Sequence, residues 1–228
     1  GVDVRHELKG VGENLQDHYQ VRSVYEVTLP DSLNAVWHSP LLQLKTGLQY
    51  AFSRRGILAT GASPVGAFVK SSPELEEPDI QFHFIPFSAD APGKGLHKFP
   101  GVSSTICVLR PDSRGHLHIA SSDPKAPPAI VANYLAAESD RRITLAGLKL
   151  ARRISEQPSF KSLVRYEVYP GPDCKSDDDF MKFARERGTT VFHPVGTCKM
   201  GSDAAAVVDS RLRVHGIADV CDGANEPY

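Results

Sequence analysis

The sequence predicts an α+β fold in which a mixed, mainly antiparallel sheet of about six strands is backed by helices. Short runs rich in β-branched and aromatic residues recur along the chain and indicate strands. Longer stretches place apolar residues at helical spacing and indicate amphipathic helices. Two of the strand patterns are joined by a short turn-forming segment, which is typical of antiparallel pairing. The chain has 228 residues, of which 41% are hydrophobic, so it is long enough to bury a core.

The strand predictions begin with 21–29, a β-branched and aromatic run that ends at a proline. Ile80, Phe82 and Phe84 alternate with polar residues, which predicts a half-buried strand whose His83 lies on the other face rather than serving as a ligand. Two further strands are expected at 105–109 and 116–119, joined as a hairpin, with others at 65–69 and 164–169.

Three helices are predicted. The first begins at Ser39-Pro40 and places four large apolar residues on one face, which we expect to be buried. The second begins near Ser139, and its arginines, Arg152 among them, are expected on a solvated face. The third begins at Ser176, where three aspartates favour the positive end of the helix dipole, and ends at Gly188. The expected buried residues of the first helix are Leu41, Leu44, Leu48 and Phe52; in the second, Ile143, Gly147, Leu150 and Ile154 share one stripe.

Composition excludes several classes of partner. Twenty-six basic and 27 acidic residues leave a net charge of -1, so nothing indicates binding to nucleic acid or to an anionic membrane, and a small molecule or another protein is the expected partner. No apolar run approaches the roughly 20 residues of a membrane span. The four cysteines form no Cys-x-x-Cys pair. We therefore predict reduced thiols in a cytoplasmic protein, with peripheral association with a membrane left open.

The segment 191–201 contains the principal candidate for catalysis, His193. The following Pro194 disfavours helical geometry, so the imidazole should lie on an extended, stiff connection leaving the third helix. An imidazole titrates near neutrality and can accept a proton from a substrate. From spacing alone, a histidine satisfied within the core remains the alternative.

Other patterns suggest metal or phosphate sites but are incomplete. His116 and His118 have the spacing that points both rings to one side of a strand, yet no third ligand lies on that strand, so a solvated sheet face is the interpretation. In Gly10-Val-Gly12, a leucine occupies the position of the third glycine of a dinucleotide loop. A metal-binding module remains an alternative that matches no regular spacing, and no metal is predicted; its residues would be His193, Cys198, His215 and Cys221.

The segment around His193 resembles the histidine motif of the glucose-methanol-choline (GMC) flavoenzymes, His-Pro-x-Gly-Thr-x-x-Met-Gly. The matching residues run from His193 to Gly201, and the Cys-Lys-Met-Gly ending is most similar to choline and long-chain alcohol dehydrogenases. Five other stretches resemble the same family in the same order along the chain, which is more specific than any single motif. They are Gly10-Val-Gly-Glu-Asn-Leu-Gln-Asp-His18, Pro78-Asp-Ile-Gln-Phe-His-Phe84, Ser113-Arg-Gly115, Asn133-Tyr-Leu135 and Val208-Asp-Ser-Arg-Leu-Arg-Val-His-Gly216.

The resemblance implies the substrate-binding half of a flavoenzyme. Residues 1–20 would be a partial flavin-domain segment, 21–200 the substrate-binding domain, and 201–228 a partial return to the flavin domain, with the region from about 105 to 228 matching the C-terminal part of the family. It also implies a C-terminal fragment without the dinucleotide-binding unit, without the extreme C-terminus and without the second active-site His or Asn. Such a fragment is expected to be inactive alone.

The implied chemistry is oxidation of an alcohol to an aldehyde by hydride transfer to FAD, with His193 accepting the hydroxyl proton. Asn14, Asp17 and His18 would lie beside the cofactor, as would Asp222 and Gly223. The resemblance leaves open which alcohol is used and whether oxygen or a quinone accepts the electrons. A non-catalytic α+β domain that binds a ligand or partner is the alternative function.

Overall fold

The computed structural model describes residues 3–30, 32–91 and 93–217. Contact density divides the chain into two compact units. The first unit comprises residues 1–19, 110–140 and 190–228, and the second comprises residues 20–109 and 141–189. Which residues belong to a flavin domain and which to a substrate-binding domain remains a prediction, because contact density alone does not assign those roles.

The described residues form eight strands, five α-helices and a short 3-10 helix at Ile57–Ala59. The main sheet has six strands and the second sheet has two. The helices are α1 (Leu33–His38), α2 (Pro40–Ser53), α3 (Glu138–Ser155), α4 (Pro158–Lys161) and α5 (Asp177–Arg187). The strands are β1 (Tyr19–Val27), β2 (Val65–Val69), β3 (Ile80–Ile85), β4 (Gly101–Val108), β5 (His116–His118), β6 (Ala129–Val131), β7 (Val164–Tyr169) and β8 (Thr189–Thr190).

The main sheet has the order β2-β3-β4-β1-β7, and β8 also pairs with β1. Its strands from β2 to β7 are antiparallel to their neighbours. Val21, Ile106 and Phe82 are opposite one another across three strands, so their side chains share one face, and each is at most 1% exposed. Together with helices, this sheet confirms the predicted α+β class.

Helix α3 packs against the buried face of the sheet. Gly147 lies over Ile106, where an added Cβ would come within 3.3 Å of the isoleucine side chain. The Tyr25 hydroxyl donates to the Ala151 carbonyl oxygen at 3.3 Å. Arg152 departs from the prediction of a solvated arginine face, because its guanidinium binds the Glu167 carboxylate at 2.7 Å and the Gly171 carbonyl at 3.0 Å. The prediction that Arg152 lies on a solvated face of the helix is therefore wrong.

The prediction for the first helix is right about its bounds and wrong about its burial. Ser39 caps α2 by accepting from the Leu42 N–H at 3.4 Å, and Pro40 occupies the first turn, as expected. The four apolar residues on its expected inner face are nevertheless exposed; Phe52 is 87% and Leu41 75% exposed. Helical spacing shows that residues share a face, but it does not show that another element covers the face.

Helix α5 agrees with its prediction. Ser176 and Asp179 form a reciprocal capping box, and Gly188 ends the helix. The predicted hairpin is wrong, because β4 lies in the main sheet whereas β5 pairs with β6 in a separate two-stranded sheet. Pro111 to Gly115 turn the chain as expected, but they lead to another sheet. Within the described residues, no helix combines the length and the hydrophobicity needed to cross a membrane.

Candidate active site

His193 lies on a bulge between two backbone segments of the first unit. Gln16 and Val195 exchange two backbone hydrogen bonds, at 2.9 and 2.8 Å, and the Val191 N–H donates to the His18 carbonyl at 3.0 Å. Between these two contacts the first segment has one residue, Asp17, whereas the second has the three residues 192–194. The surplus residues 192–194, which we call the His193 bulge, therefore project from the pair and are exposed.

The buried carboxylate of Asp17 holds the His193 bulge in place. Asp17 is only 8% exposed, and its Oδ1 accepts the backbone N–H of His193 at 3.0 Å. Its Oδ2 accepts the Thr190 hydroxyl at 2.5 Å, and the Thr190 Oγ1 in turn accepts the Phe192 N–H at 2.7 Å. Phe192 has a φ of 65°, in the left-handed region. The carboxylate thus provides the His193 N–H with a partner in place of a ladder hydrogen bond.

Tyr134 completes the hydrogen bonds of Asp17. Its hydroxyl donates to Asp17 Oδ2, and its ring lies 4.7 Å from that of Tyr19, centroid to centroid. Burial and the hydrogen bond to Asp17 raise the pKa of Tyr134 to about 12. The phenol therefore remains a neutral donor at physiological pH and cannot place a second negative charge beside the carboxylate.

The imidazole of His193 faces open space rather than packed hydrocarbon. Its ring makes an edge contact with the His18 ring at a centroid distance of 5.6 Å. Within the described residues, no hydrogen bond to its two ring nitrogens is found, and the residue is exposed. A small molecule that reaches the bulge can therefore hydrogen-bond to this ring, which is the geometric requirement for a general base.

Asn14 is part of the same arrangement. It adopts a φ of 60°, its amide donates to the Gly196 carbonyl at 3.2 Å, and its Oδ1 accepts from Arg114 Nε at 3.2 Å. Gly196 has a φ of 93°, and an added Cβ would stand 2.5 Å from the Asn14 carbonyl oxygen, so only glycine fits this close approach.

The structure places Asp17 and His18 in contact with His193, and Asn14 in contact with the neighbouring Gly196; that they lie beside a cofactor stays a prediction. Asp222 and Gly223 lie outside the described residues. Sequence reasoning missed Thr190 and Tyr134, and only the Asn-Tyr-Leu motif around Tyr134 drew attention to that region. His193, Cys198 and His215 do not converge on a metal-binding position in the described part of the chain, and His215 Nε2 instead contacts the Gly201 carbonyl at 2.9 Å.

The described segment with Gly10 and Gly12 does not have the open backbone of a phosphate-binding loop. Gly10 and Gly12 lack room for a Cβ because it would lie 2.1 Å from the Ala205 carbonyl oxygen and 2.0 Å from that of Leu117. These glycines therefore serve close backbone packing and do not form a phosphate cradle. The His193 bulge, by contrast, presents an accessible imidazole beside exposed Phe192, a surface that a planar, largely apolar ring with a polar edge can approach.

The family model described as GMC oxidoreductase matches residues 111–227, about half of the chain. The chain belongs to the GMC oxidoreductase family. GMC oxidoreductases are FAD-dependent enzymes, so this membership confirms the resemblance seen in the histidine motif.

Curated relatives match this GMC chain over almost its whole length. The oxygen-dependent choline dehydrogenase of Klebsiella pneumoniae strain 342 is 39% identical over 222 residues, which cover 96% of this chain and 39% of the relative. The alcohol dehydrogenase [acceptor] of Pseudomonas putida is 36% identical over 220 residues, covering 96% and 40%. The chain thus spans about two fifths of the length of these relatives.

Solved structures share the fold of this GMC chain. A formate oxidase variant of Aspergillus oryzae superimposes with a TM-score of 0.79 at 23% identity, over 93% of this chain and 42% of that one. An FAD-dependent oxidoreductase of Chaetomium thermophilum superimposes with a TM-score of 0.79 at 19% identity, over 99% and 45%. At these identities the likeness concerns the fold alone.

Proposed function

We propose that the protein containing this chain oxidises an alcohol to an aldehyde with FAD, and that this chain supplies the proton acceptor. The observation that carries the proposal is the exposed His193 imidazole, mounted on a pinned bulge in a member of the GMC family. The relatives named as choline and alcohol dehydrogenases support a substrate with a CH–OH group. Bound FAD supplies the hydride acceptor, which no amino-acid side chain can provide.

The role of His193 is to take the hydroxyl proton of the alcohol. A neutral imidazole within hydrogen-bond reach of the substrate oxygen stabilises the alkoxide character that develops as the C–H bond weakens. Such a base is worth roughly 10² to 10⁴ in rate. Because both ring nitrogens are free of hydrogen bonds within the described residues, the substrate oxygen meets no internal competitor.

In this reaction Asp17 would position His193. Its carboxylate fixes the backbone of His193 and does not reach the substrate itself, so it is a positioning residue in the proposal. Asn14, which contacts Gly196, and His18, whose ring contacts that of His193, are the described residues we propose beside the cofactor ring, with Asp17 contributing through His193. We assign Asp222 and Gly223 to the cofactor side as well, from the resemblance alone.

The proposal also covers domain roles. We propose that residues 1–20 and 201–228 belong to the flavin domain and that residues 21–200 form the substrate-binding domain. The family match over 111–227 supports the assignment of the C-terminal region.

The test uses the intact protein purified with FAD. Anaerobic mixing with a panel of choline and of short- and long-chain primary alcohols should bleach the flavin absorbance with at least one member and yield the matching aldehyde. An enzyme whose bound flavin stays oxidised with every alcohol of the panel would contradict the proposal. Repeating the reoxidation with oxygen and with a quinone would identify the acceptor.

A further inference from the structure

Three potential metal ligands converge on the surface of the first unit, apart from the His193 bulge. Glu13, His116 and His118 each offer one ligand atom, and these atoms all lie within 4.8 Å of one another. His118 Nε2 is 3.0 Å from Glu13 Oε1, and the two imidazole centroids are 4.9 Å apart. Within the described residues, no other group of three or more His, Cys, Asp or Glu side chains brings its ligand atoms this close together.

The backbone fixes the register that brings the three side chains together. His116 and His118 alternate with Leu117 on β5, so both rings project to one face of the strand. Leu117 N donates to the Gly12 carbonyl at 2.7 Å, and Leu15 and Gly115 exchange hydrogen bonds at 2.9 and 2.8 Å. Glu13 is thereby held beside the two histidines although it is more than a hundred residues away in sequence.

Gly12 makes this close pairing possible. Its φ is 82°, and an added Cβ would stand 2.0 Å from the Leu117 carbonyl oxygen. Gly12 therefore allows the backbone beside Glu13 to approach β5 closely. The position of the Glu13 carboxylate is set by these backbone contacts.

We propose that Glu13, His116 and His118 form a binding site for a divalent transition-metal ion, with Zn²⁺ the best match. Two imidazoles and one carboxylate are a ligand set that zinc accepts, and three protein ligands leave a fourth tetrahedral position for water. Zinc bonds of about 2.0–2.1 Å place neighbouring ligand atoms about 3.3 Å apart. The 3.0 Å separation of His118 Nε2 and Glu13 Oε1 is close to that value, and small side-chain rotations bring in His116.

The ion would clamp the segment 12–15 to β5. The Asp17 carboxylate that holds the His193 bulge lies two residues beyond this segment. Zinc should therefore stabilise the first unit in the absence of any alcohol or turnover. This inference rests on the geometry of three side chains and is independent of the proposed alcohol oxidation.

The test is isothermal titration of ZnCl2 into the intact, chelator-treated protein, with Co²⁺ absorption in the visible range as a probe of coordination. The wild type should bind one zinc ion at this site. Glu13→Gln and His118→Ala should each weaken binding by at least about 10- to 100-fold, since even the loss of an outer-shell partner costs that much. Matched controls are Glu74→Gln and His38→Ala, exposed residues outside the cluster that should leave binding unchanged.

Glu13→Gln preserves side-chain size, and thermal unfolding without metal shows whether each variant is folded. The proposal would be overturned by a wild type that takes up no zinc at equimolar concentration. It would equally be overturned by folded Glu13→Gln and His118→Ala variants that bind zinc as tightly as the two controls do.

Discussion

Asp17 holds the backbone of the His193 bulge through a single buried carboxylate. Its two oxygens accept from the His193 backbone, the Thr190 hydroxyl and the Tyr134 hydroxyl, and it is 8% exposed. Hydrogen bonds to a charged acceptor are worth roughly 1.5–3 kcal/mol each, and a buried donor left without its partner costs a similar amount. The position of the imidazole therefore depends on a side chain that precedes it by 176 residues.

We predict that Asp17→Asn in the intact protein lowers kcat about 10- to 100-fold with FAD still bound, because a displacement of about 1 Å at the reacting group can cost 100-fold. Steady-state kinetics and the flavin-to-protein ratio measure both. In a His193→Ala background the same substitution should have no further effect, since the two residues act as a unit. Additive losses in the double variant would show that Asp17 acts by a route other than His193.

Among the elements, α2 and α3 show that helical spacing predicts a common face but not which face is covered. The sheet lies against α3, yet of its predicted stripe only Gly147 is buried, whereas Ile143, Leu150 and Ile154 are half-buried. Leu148 in α3 is 1% exposed, whereas Leu44 in α2 is 60% exposed. The sequence pattern of α2 predicted its bounds and its common face, and it predicted the burial of that face wrongly.

We predict that Leu148→Ala lowers the free energy of unfolding by about 2–5 kcal/mol, because it leaves a cavity between α3 and the sheet. Leu44→Ala should change the free energy by no more than about 0.5 kcal/mol, because the side chain is mainly in water. Urea denaturation of the two variants beside the wild type measures both values. Equal destabilisation by the two substitutions would show that α2 buries its apolar face after all.

For the molecule as a whole, the sequence predicted what depends on local pattern. Strands β1 to β5 and β7, the bounds of α2 and α5 and the capping at Ser176 follow from residues close together in the chain, whereas the short β6 and β8 were not predicted. The Asp17 contacts join residues 117, 173 and 176 positions apart, and Glu13 meets β5 across a comparable gap. Such meetings depend on topology, which is why the partner of β5 was predicted wrongly and the third potential metal ligand was not predicted.

We predict that the 228-residue chain expressed alone does not retain FAD stoichiometrically and oxidises no alcohol. The physical reason is that Gly10 and Gly12 pack against carbonyl oxygens and that Leu15 stands where a dinucleotide loop has its third glycine. Absorbance of the purified chain after incubation with FAD and removal of free cofactor measures retention. A yellow one-to-one complex would contradict the prediction.

The most direct measurement of the central claim is the rate of flavin reduction by alcohol under anaerobic, single-turnover conditions, comparing wild-type intact protein with His193→Ala. We expect a rate lower by about 10² to 10⁴ in His193→Ala, because the hydroxyl proton has lost its acceptor. FAD content should be unchanged, and His38→Ala should reduce its flavin normally. A His193→Ala protein that binds FAD and is reduced at the wild-type rate would contradict the claim that this imidazole accepts the proton.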